Sequence, residues 1–391
     1  MQPNMKKLIA TLCIAFAASA ASAYTPNKIV IPDIDGYKTL KCDFHLHTVF
    51  SDATVWPTTR VQEAVWEGLD AIAITEHVDT RHQKMVKKGI FTKDKCDRNM
   101  SVKLAKDAAK GTDLIVIHGG ELTREMSPGH WNCIFVKDNE AIVKRAEEFD
   151  DNHFLAVQAG VKEAHAQGGF TFWNHPNWNK HAPNETKWHP EHTTLLKAGY
   201  MQGIEIYNCE YSPEAHEWAL KHNLTMFANS DGHAPFFYEI DYQHGEHRPV
   251  TLVFAKERSE AGIREALENQ RTVGFAEGMI YGREDNVRAL YDACVKVIDV
   301  KHDWRSSKIT LENCSSIPLR FSKAPGSEMW SFARELEIPP HSIVTLSVNA
   351  LQKDYKYQEI TAKEIDVNLY VNTFMVGANK PLKVHYKITR E

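Results

Sequence analysis

Histidines spaced for metal binding are the first residues in this chain that could carry chemistry. The segment Asp43-Phe44-His45-Leu46-His47 follows a short apolar run, and Ser51-Asp52 comes soon after it. In an extended segment, residues two apart point the same way, so His45 and His47 can present both imidazoles to one cation. The pair alone indicates little, because a chain with 20 histidines would contain about one such pair by chance.

The same residue types recur where later apolar runs end. These later segments are Thr75-Glu76-His77, Gly119-Gly120-Glu121, Asn174-His175-Pro176 and Asn229-Ser230-Asp231-Gly232-His233, and His130 stands just before a further run. A lone histidine is more often a hydrogen-bonded structural residue, and a lone glutamate more often a cap. Their joint recurrence favours a metal site, because imidazole and carboxylate suit zinc, iron and manganese.

The elements that must position these residues alternate between residues 39 and 277. The pattern predicts strands at 39–44, 71–74, 114–117, 131–136, 170–173, 203–207, 226–228 and 250–255. It predicts helices at 57–69, 101–110, 140–149, 213–221 and 259–269. Such alternation predicts parallel strands with helices outside, in a barrel or a doubly wound sheet.

A barrel would gather the candidate ligands in one pocket. The carboxyl ends of its strands converge on one face, where catalytic groups collect. The nine predicted metal ligands are His45, His47, Asp52, His77, Glu121, His130, His175, Asp231 and His233.

After about residue 290 the pattern changes to period two. The runs 307–312, 343–348, 365–371 and 382–389 alternate apolar and polar residues without an amphipathic helix between them. This pattern predicts a small all-β domain of sandwich type. We therefore expect a barrel domain over residues 24–285 and a C-terminal β domain over residues 286–391.

The first 23 residues have the organisation of an export signal. Lys6 and Lys7 precede an apolar run, and small residues follow it up to Ala23. The run is too short to span a bilayer. We expect a cleaved signal peptide over residues 1–23 and a periplasmic or secreted protein without a membrane anchor.

Composition narrows the class of protein further. Of 391 residues, 43% are hydrophobic and 25% charged, which is typical of a soluble globular enzyme. A net charge of -5 gives no electrostatic reason to expect nucleic acid as a stable partner. The sequence contains neither a GxSxG nucleophile elbow nor a P-loop.

The order and character of these motifs resemble the PHP superfamily, named after polymerases and histidinol phosphatases, whose members are metal-dependent phosphoesterases. The resemblance covers about residues 39–277 and implies a distorted (β/α)7 barrel with a trinuclear site. The export signal, a His- and Trp-rich insertion at about 178–192 and the C-terminal β domain resemble the secreted phosphodiesterase (Sb-PDE) branch of that superfamily.

The resemblance also implies an assignment of ligands to metals. The first ion would be bound by His45, His47, Glu121 and Asp231, the second by Glu121, His130 and His175, and the third by Asp52, His77 and His233. Glu121 would bridge the first two ions, and a hydroxide between those ions would be the nucleophile. We take Glu121, Asp231 and His77 as the catalytic residues and expect two or three ions of Zn, Mn or Fe.

Two or three close cations would lower the pKa of bound water and support the attacking and leaving oxygens of a phosphate ester. We therefore expect an exported phosphoesterase that acts on a small phosphate ester and prefers a diester to a monoester. The predicted substrate contacts are Arg81, Arg124, Asn174 and Asn208. Two alternatives stay open: an amidohydrolase-type metal hydrolase, which also uses HxH, and a non-enzymatic metal- or glycan-binding surface protein.

Overall fold

The computed structural model describes residues 28–79, 97–179, 185–351 and 358–390. The predicted signal segment, residues 1–23, lies outside these ranges. The strands of the N-terminal part are β1 (Lys38–Asp43), β2 (Ala71–Ile74), β3 (Ile115–Leu122), β4 (Trp131–Ile134), β5 (Phe170–Trp173), β6 (Gly203–Asn208), β7 (Glu210–Tyr211), β8 (Thr225–Asn229), β9 (Val250–Ala255), β10 (Thr272–Ala276) and β11 (Met279–Gly282). No helix in the described ranges has the length and apolarity needed to cross a membrane.

The helices largely follow the predicted segments. They are α1 (Pro57–Glu67), α2 (Met100–Ala108), α3 (Asn139–Glu147), α4 (His153–Ala166), α5 (Pro190–Lys197), α6 (Pro213–His222), α7 (Glu260–Glu268) and α8 (Glu284–Cys294). Helix α1 begins at Pro57, whose missing N–H costs nothing in the first turn. It ends at Gly68, which has a φ of 76° that glycine adopts without strain. Val61 and Ala64 are buried on its inner face.

The central sheet is mixed rather than uniformly parallel. Strands β1, β2 and β3 pair in parallel, as do β5 with β6 and β6 with β8. Strand β4 is antiparallel to both β3 and β5, because the chain turns back after β3 without a crossover helix. Strands β9 and β10 are antiparallel to β1 and β9, respectively.

Threonine side chains join β8 to β9 and β10. Thr251 Oγ1 accepts a hydrogen bond from the Ala228 amide at 3.0 Å and lies 2.9 Å from its carbonyl oxygen. Thr272 Oγ1 donates to the Met226 carbonyl at 2.8 Å. Inside the barrel, the ring of Phe227 stacks on the ring of Phe172, with the centroids 4.2 Å apart. The α/β barrel-like core that the sequence predicts is confirmed in this distorted form.

From Val295 on, the described residues form an all-β domain, as predicted. Its strands are β12 (Val295–His302), β13 (Ser306–Asn313), β14 (Leu319–Lys323), β15 (Trp330–Ser331), β16 (Glu335–Ile338), β17 (Ile343–Ala350), β18 (Glu364–Met375) and β19 (Pro381–Thr389). One sheet has the order β12-β13-β17-β15, and the other contains β16, β14, β18 and β19. Strand β18 also pairs in parallel with β11, so the second sheet continues into the barrel sheet. Helix α8 covers the predicted boundary after residue 285 and contacts β11, β18 and β19.

Candidate metal centre

His45 and His47 lie directly after β1. Leu46 between them forms a parallel bridge with Gly232, and the Asp231 amide donates to the His45 carbonyl at 3.0 Å. Both rings are fully buried, and their Nε2 atoms are 3.1 Å apart. The extended geometry inferred from the HxH spacing therefore does bring both imidazoles into one pocket.

Glu121 is the central carboxylate of the cluster. It lies within β3, although the predicted strand ended before it, and its side chain is fully buried. Its Oε1 is 3.4 Å from His45 Nε2 and 3.1 Å from His130 Nδ1. The same oxygen is 3.6 Å from His175 Nε2, while Oε2 contacts His77 Nδ1.

Two aspartates extend the cluster beyond Glu121. Asp231 Oδ1 is 3.2 Å from His45 Nε2 and 3.1 Å from His47 Nε2. Asp52 Oδ1 is 3.2 Å from His77 Nε2 and 3.1 Å from His233 Nε2. Each carboxylate thus faces two imidazoles at once.

All nine predicted ligands converge at this place. Their donor atoms form four overlapping groups, within each of which the atoms lie within 4.8 Å of one another: His47, Asp52, His77 and His233; His45, His47 and Glu121; His45, His175 and Asp231; His77, Glu121 and His130. These groups share members differently from the three ligand sets that the resemblance implies. Glu121 belongs to two of them, which agrees with a bridging position.

The donor set fits divalent cations. His45 Nδ1 is 2.9 Å from Glu205 Oε1, and because a carboxylate only accepts, this nitrogen carries the proton. In neutral His45, Nε2 then carries a lone pair. This lone pair faces His47 Nε2 and the carboxylates of Glu121 and Asp231, which also present lone pairs. Facing lone pairs repel, so a positive charge among them, a metal ion or a proton, is favoured. The combination of imidazole and carboxylate suits a transition-metal ion.

Electrostatics inside the pocket favour ionised carboxylates. Burial alone would raise the pKa of Asp231. His45 and His47 lower it by a larger amount, so the pKa of this carboxyl lies below its usual range. Burial lowers the pKa of His77, but Glu121 and Asp52 raise it to about 10. For His47, burial and the neighbouring His77 lower the pKa to about 3, so its ring is neutral and able to donate electron pairs.

Glu205 is a site residue that the sequence analysis did not single out. It is buried in β6 and accepts hydrogen bonds from His45 Nδ1 at 2.9 Å and from the His175 backbone amide at 2.7 Å. Asn208 and Asn229 donate their side-chain amides to the two oxygens of Glu205, each at 2.9 Å. Such outer partners fix the orientation of a metal-binding imidazole. The sequence signal that could have indicated this role is an ionisable glutamate within a strand that is otherwise apolar.

Two of the candidate ligands have a strained backbone conformation. His175 has a φ of 28° and Asp231 a φ of 52°, in a region that non-glycine residues rarely adopt. Such conformations persist only where the surrounding structure imposes them, and they cluster at functional sites. The strain agrees with a role in holding both side chains toward the cluster.

The predicted substrate contacts differ in where their side chains lie. Asn208 lines the pocket, with its Nδ2 atom 3.5 Å from Asp231 Oδ2. Asn174 instead donates to Glu121 Oε1 at 2.8 Å, so it positions the carboxylate. Arg124 is buried, and its Nε lies 2.9 Å from Asp79 Oδ2. This geometry gives no support to a substrate contact. Arg81 lies outside the described residues.

An open pocket of about 490 Å³ lies over the cluster. Its lining includes six of the candidate ligands, and Trp178, Asn177 and Glu210 complete the rim. The Trp178 ring lies against His130, with the centroids 4.9 Å apart. A small ester could therefore reach the cluster from solvent.

Comparison with known proteins places these features in context. The chain is similar to a two-domain protein from Bacteroides vulgatus that contains a predicted PHP-like metal-dependent phosphoesterase. The two share 40% identity over 93% of this chain and 99% of that one, with a TM-score of 0.83. An uncharacterized protein of Methanocaldococcus jannaschii is 27% identical over 207 residues, which are 50% of this chain and 83% of that protein. Residues 295–387 match a family described as an Ig-like domain.

Proposed function

This chain belongs to the PHP-like metal-dependent phosphoesterases, and we propose that it is an exported enzyme that hydrolyses phosphodiesters in preference to monoesters. The observation that carries the proposal is the convergence of three carboxylates and six imidazoles under one open pocket. Export is inferred from the N-terminal segment, and the small phosphate ester from the size of the pocket.

Two or three divalent ions, zinc, manganese or iron, would be bound by the nine clustered side chains. When bound, such ions would supply Lewis acidity toward a phosphoryl oxygen and an activated water as nucleophile. The overlap of the donor groups at Glu121 and His47 supports closely spaced ions, because both residues belong to two groups.

The side chains themselves position the reacting groups. Glu121 is held by the Asn174 amide and by His130, so its carboxylate cannot rotate away from the cluster. Asn208 is held by Glu205, and its Nδ2 atom lies on the pocket wall. From there its amide can donate a hydrogen bond to a non-bridging phosphoryl oxygen.

The charge of the pocket supports the preference for a diester. Among the described residues that line it, no lysine or arginine is present, whereas Asp52, Glu210 and Asp231 are acidic. A monoester carries more negative charge than a diester and would need additional cationic groups. The diester, with one negative charge, is better matched to this described lining.

The test is reconstitution of the purified protein with manganese, zinc or iron. We expect turnover of bis-4-nitrophenyl phosphate to exceed that of 4-nitrophenyl phosphate. Glu121→Gln should abolish turnover, whereas Glu268→Gln, an exposed change on α7, should not alter it. Hydrolysis of amides or lactones alone would overturn the proposal in favour of an amidohydrolase. N-terminal sequencing of the protein recovered from a periplasmic fraction tests export, with cleavage after Ala23 expected.

A further inference from the structure

A second and larger cavity adjoins the metal pocket. It has a volume of about 740 Å³, and Cys209 lines both spaces. Tyr207 and Ser230 on its wall directly precede the pocket residues Asn208 and Asp231 in the chain. A molecule bound at the metal cluster can therefore extend into this cavity without leaving the surface of the protein.

Both halves of the protein contribute to the cavity. One wall comes from the segment after β8, including Glu239 and His247, and from Phe275 in β10. The opposite wall includes Ser316 and Pro318, which lie between β13 and β14 of the C-terminal domain. The C-terminal domain thus shapes a space that opens toward the candidate metal centre.

The chemistry of the lining is rich in hydrogen-bond acceptors. Glu239, Glu246 and Glu277 face the cavity with exposed carboxylates, and the described lining residues include no lysine or arginine. A second phosphate or another anionic group would be repelled here. Groups that donate hydrogen bonds would be favoured.

His247 adds a neutral ring to the cavity wall. Its Nδ1 is 2.7 Å from the Arg248 carbonyl, which can only accept, so Nδ1 carries the proton and Nε2 holds a lone pair. Nε2 is buried and has no hydrogen-bond partner in the described part of the chain. Burial lowers the pKa of this histidine, which keeps the ring neutral.

Apolar rings and hydroxyls complete the lining. The buried Phe275 ring packs against the His247 ring, tilted by 32° and with the centroids 4.1 Å apart, and Pro318 also lines the cavity. The Ser230 hydroxyl donates to Asp43 Oδ2 at 2.6 Å and the Tyr207 hydroxyl to the Cys209 carbonyl at 3.4 Å, so both oxygens can still accept a hydrogen bond. Apolar ring and proline surfaces beside acceptor oxygens match a sugar, which has C–H faces and hydroxyls that donate, better than the quaternary ammonium of choline, which has no N–H to donate.

We propose that this cavity binds a neutral, hydroxyl-rich moiety, a sugar or similar polyol, that forms one alcohol half of the phosphodiester. The claim that the bound moiety is part of the substrate rests on the proposed phosphodiesterase function. It predicts that substrate choice is set jointly by the barrel and the C-terminal domain.

Turnover of three matched methyl phosphodiesters tests the proposal. Their second alcohols are glucose through O6, cyclohexylmethanol and choline, and ³¹P NMR identifies the monoester products whichever alcohol leaves. We expect kcat/KM for the glucose ester to exceed that for the cyclohexylmethyl ester by about tenfold or more. The double variant Glu239→Gln/Glu277→Gln should remove that preference. Glu268→Gln/Glu364→Gln, with exposed glutamates away from the cavity, is the control.

Binding is measured separately from turnover by saturation-transfer difference NMR with methyl glucoside. We expect a signal for the wild type and the control, and a weaker one for the cavity variant. Equal signals for all three proteins, or a preference for the choline or cyclohexylmethyl ester, would overturn the polyol site. If all diesters, including bis-4-nitrophenyl phosphate, stay intact while the glucoside signal depends on Glu239 and Glu277, the proposed function fails and the sugar site stands.

Discussion

Replacing Glu205 by glutamine should weaken metal binding strongly, although the side chain never touches the pocket. Each Glu205 oxygen accepts two hydrogen bonds: Oε1 from His45 and Asn229, and Oε2 from the His175 amide and Asn208. Glutamine has only one acceptor oxygen, so its NH₂ group must face two donors in either orientation.

The magnitude follows from this mismatch. Two buried donors lose their partner at about 1–3 kcal/mol each, so the free energy of unfolding should fall by about 2–6 kcal/mol. His45 also loses the carboxylate that keeps its proton on Nδ1. Loss of such an outer partner typically lowers metal affinity about 10- to 100-fold, which is about 1.4–2.7 kcal/mol.

Metal titration followed by calorimetry, together with urea unfolding of the metal-free protein, measures the two effects separately. Glu268→Gln has the same change of charge on an exposed helix and should leave both quantities near the wild-type value. If Glu205→Gln bound metal with wild-type affinity, the idea that Glu205 orients His45 would be refuted.

Three further predictions concern stability. Chelation should lower the Tm and added manganese or zinc should restore it in calorimetry, because an ion at about 100 times its Kd stabilises the folded state by about 2.7 kcal/mol, and an unchanged Tm would argue against a resident ion. Arg248→Met should cost about 3–5 kcal/mol in urea unfolding, since it leaves the buried carboxylates of Glu67 and Asp43 without their cation, and a cost below about 1 kcal/mol would contradict this pairing. Burial lowers the pKa of His192 and of His216 from 6.5 to about 4. The unfolded state therefore binds more protons than the folded state between pH 6.5 and pH 4. The free energy of unfolding should be highest above pH 6.5 and should fall by up to about 3 kcal/mol per histidine as the pH drops toward 4. His216→Gln should reduce that pH slope, and an unchanged slope would assign it to other groups.

Strand positions were the most predictable part of the fold. The predicted strands 71–74, 170–173 and 250–255 coincide with β2, β5 and β9, because each is a short apolar run with polar residues at its ends. The direction of β4 could not be predicted from its own residues. It depends on the absence of a crossover helix after β3, which local periodicity does not reveal.

Helix α4 was missed for a related reason. Its buried side includes Ala156, Gly160 and Ala164, whose small side chains give a weak amphipathic pattern. Gly160 is needed there because a Cβ at this position would lie 2.6 Å from a methyl group of Leu122. That requirement comes from packing against β3, which only the tertiary structure shows.

The candidate ligands were predictable because their residue types are rare together at strand ends. Second-layer roles were not, since they depend on which buried partner a polar side chain meets. Asn174 was expected to contact substrate but holds Glu121, and Arg124 pairs with Asp79. Glu205 was overlooked because a strand residue flanked by Ile204 and Ile206 resembles ordinary core sequence.

Metal content measured by inductively coupled plasma mass spectrometry on protein purified without chelators tests the central claim most directly. The convergence of nine side chains on one pocket predicts two or three divalent ions per chain in the wild type and fewer in Glu121→Gln. A wild-type protein that contains no bound ion, and that takes up none from added manganese, zinc or iron, would contradict it.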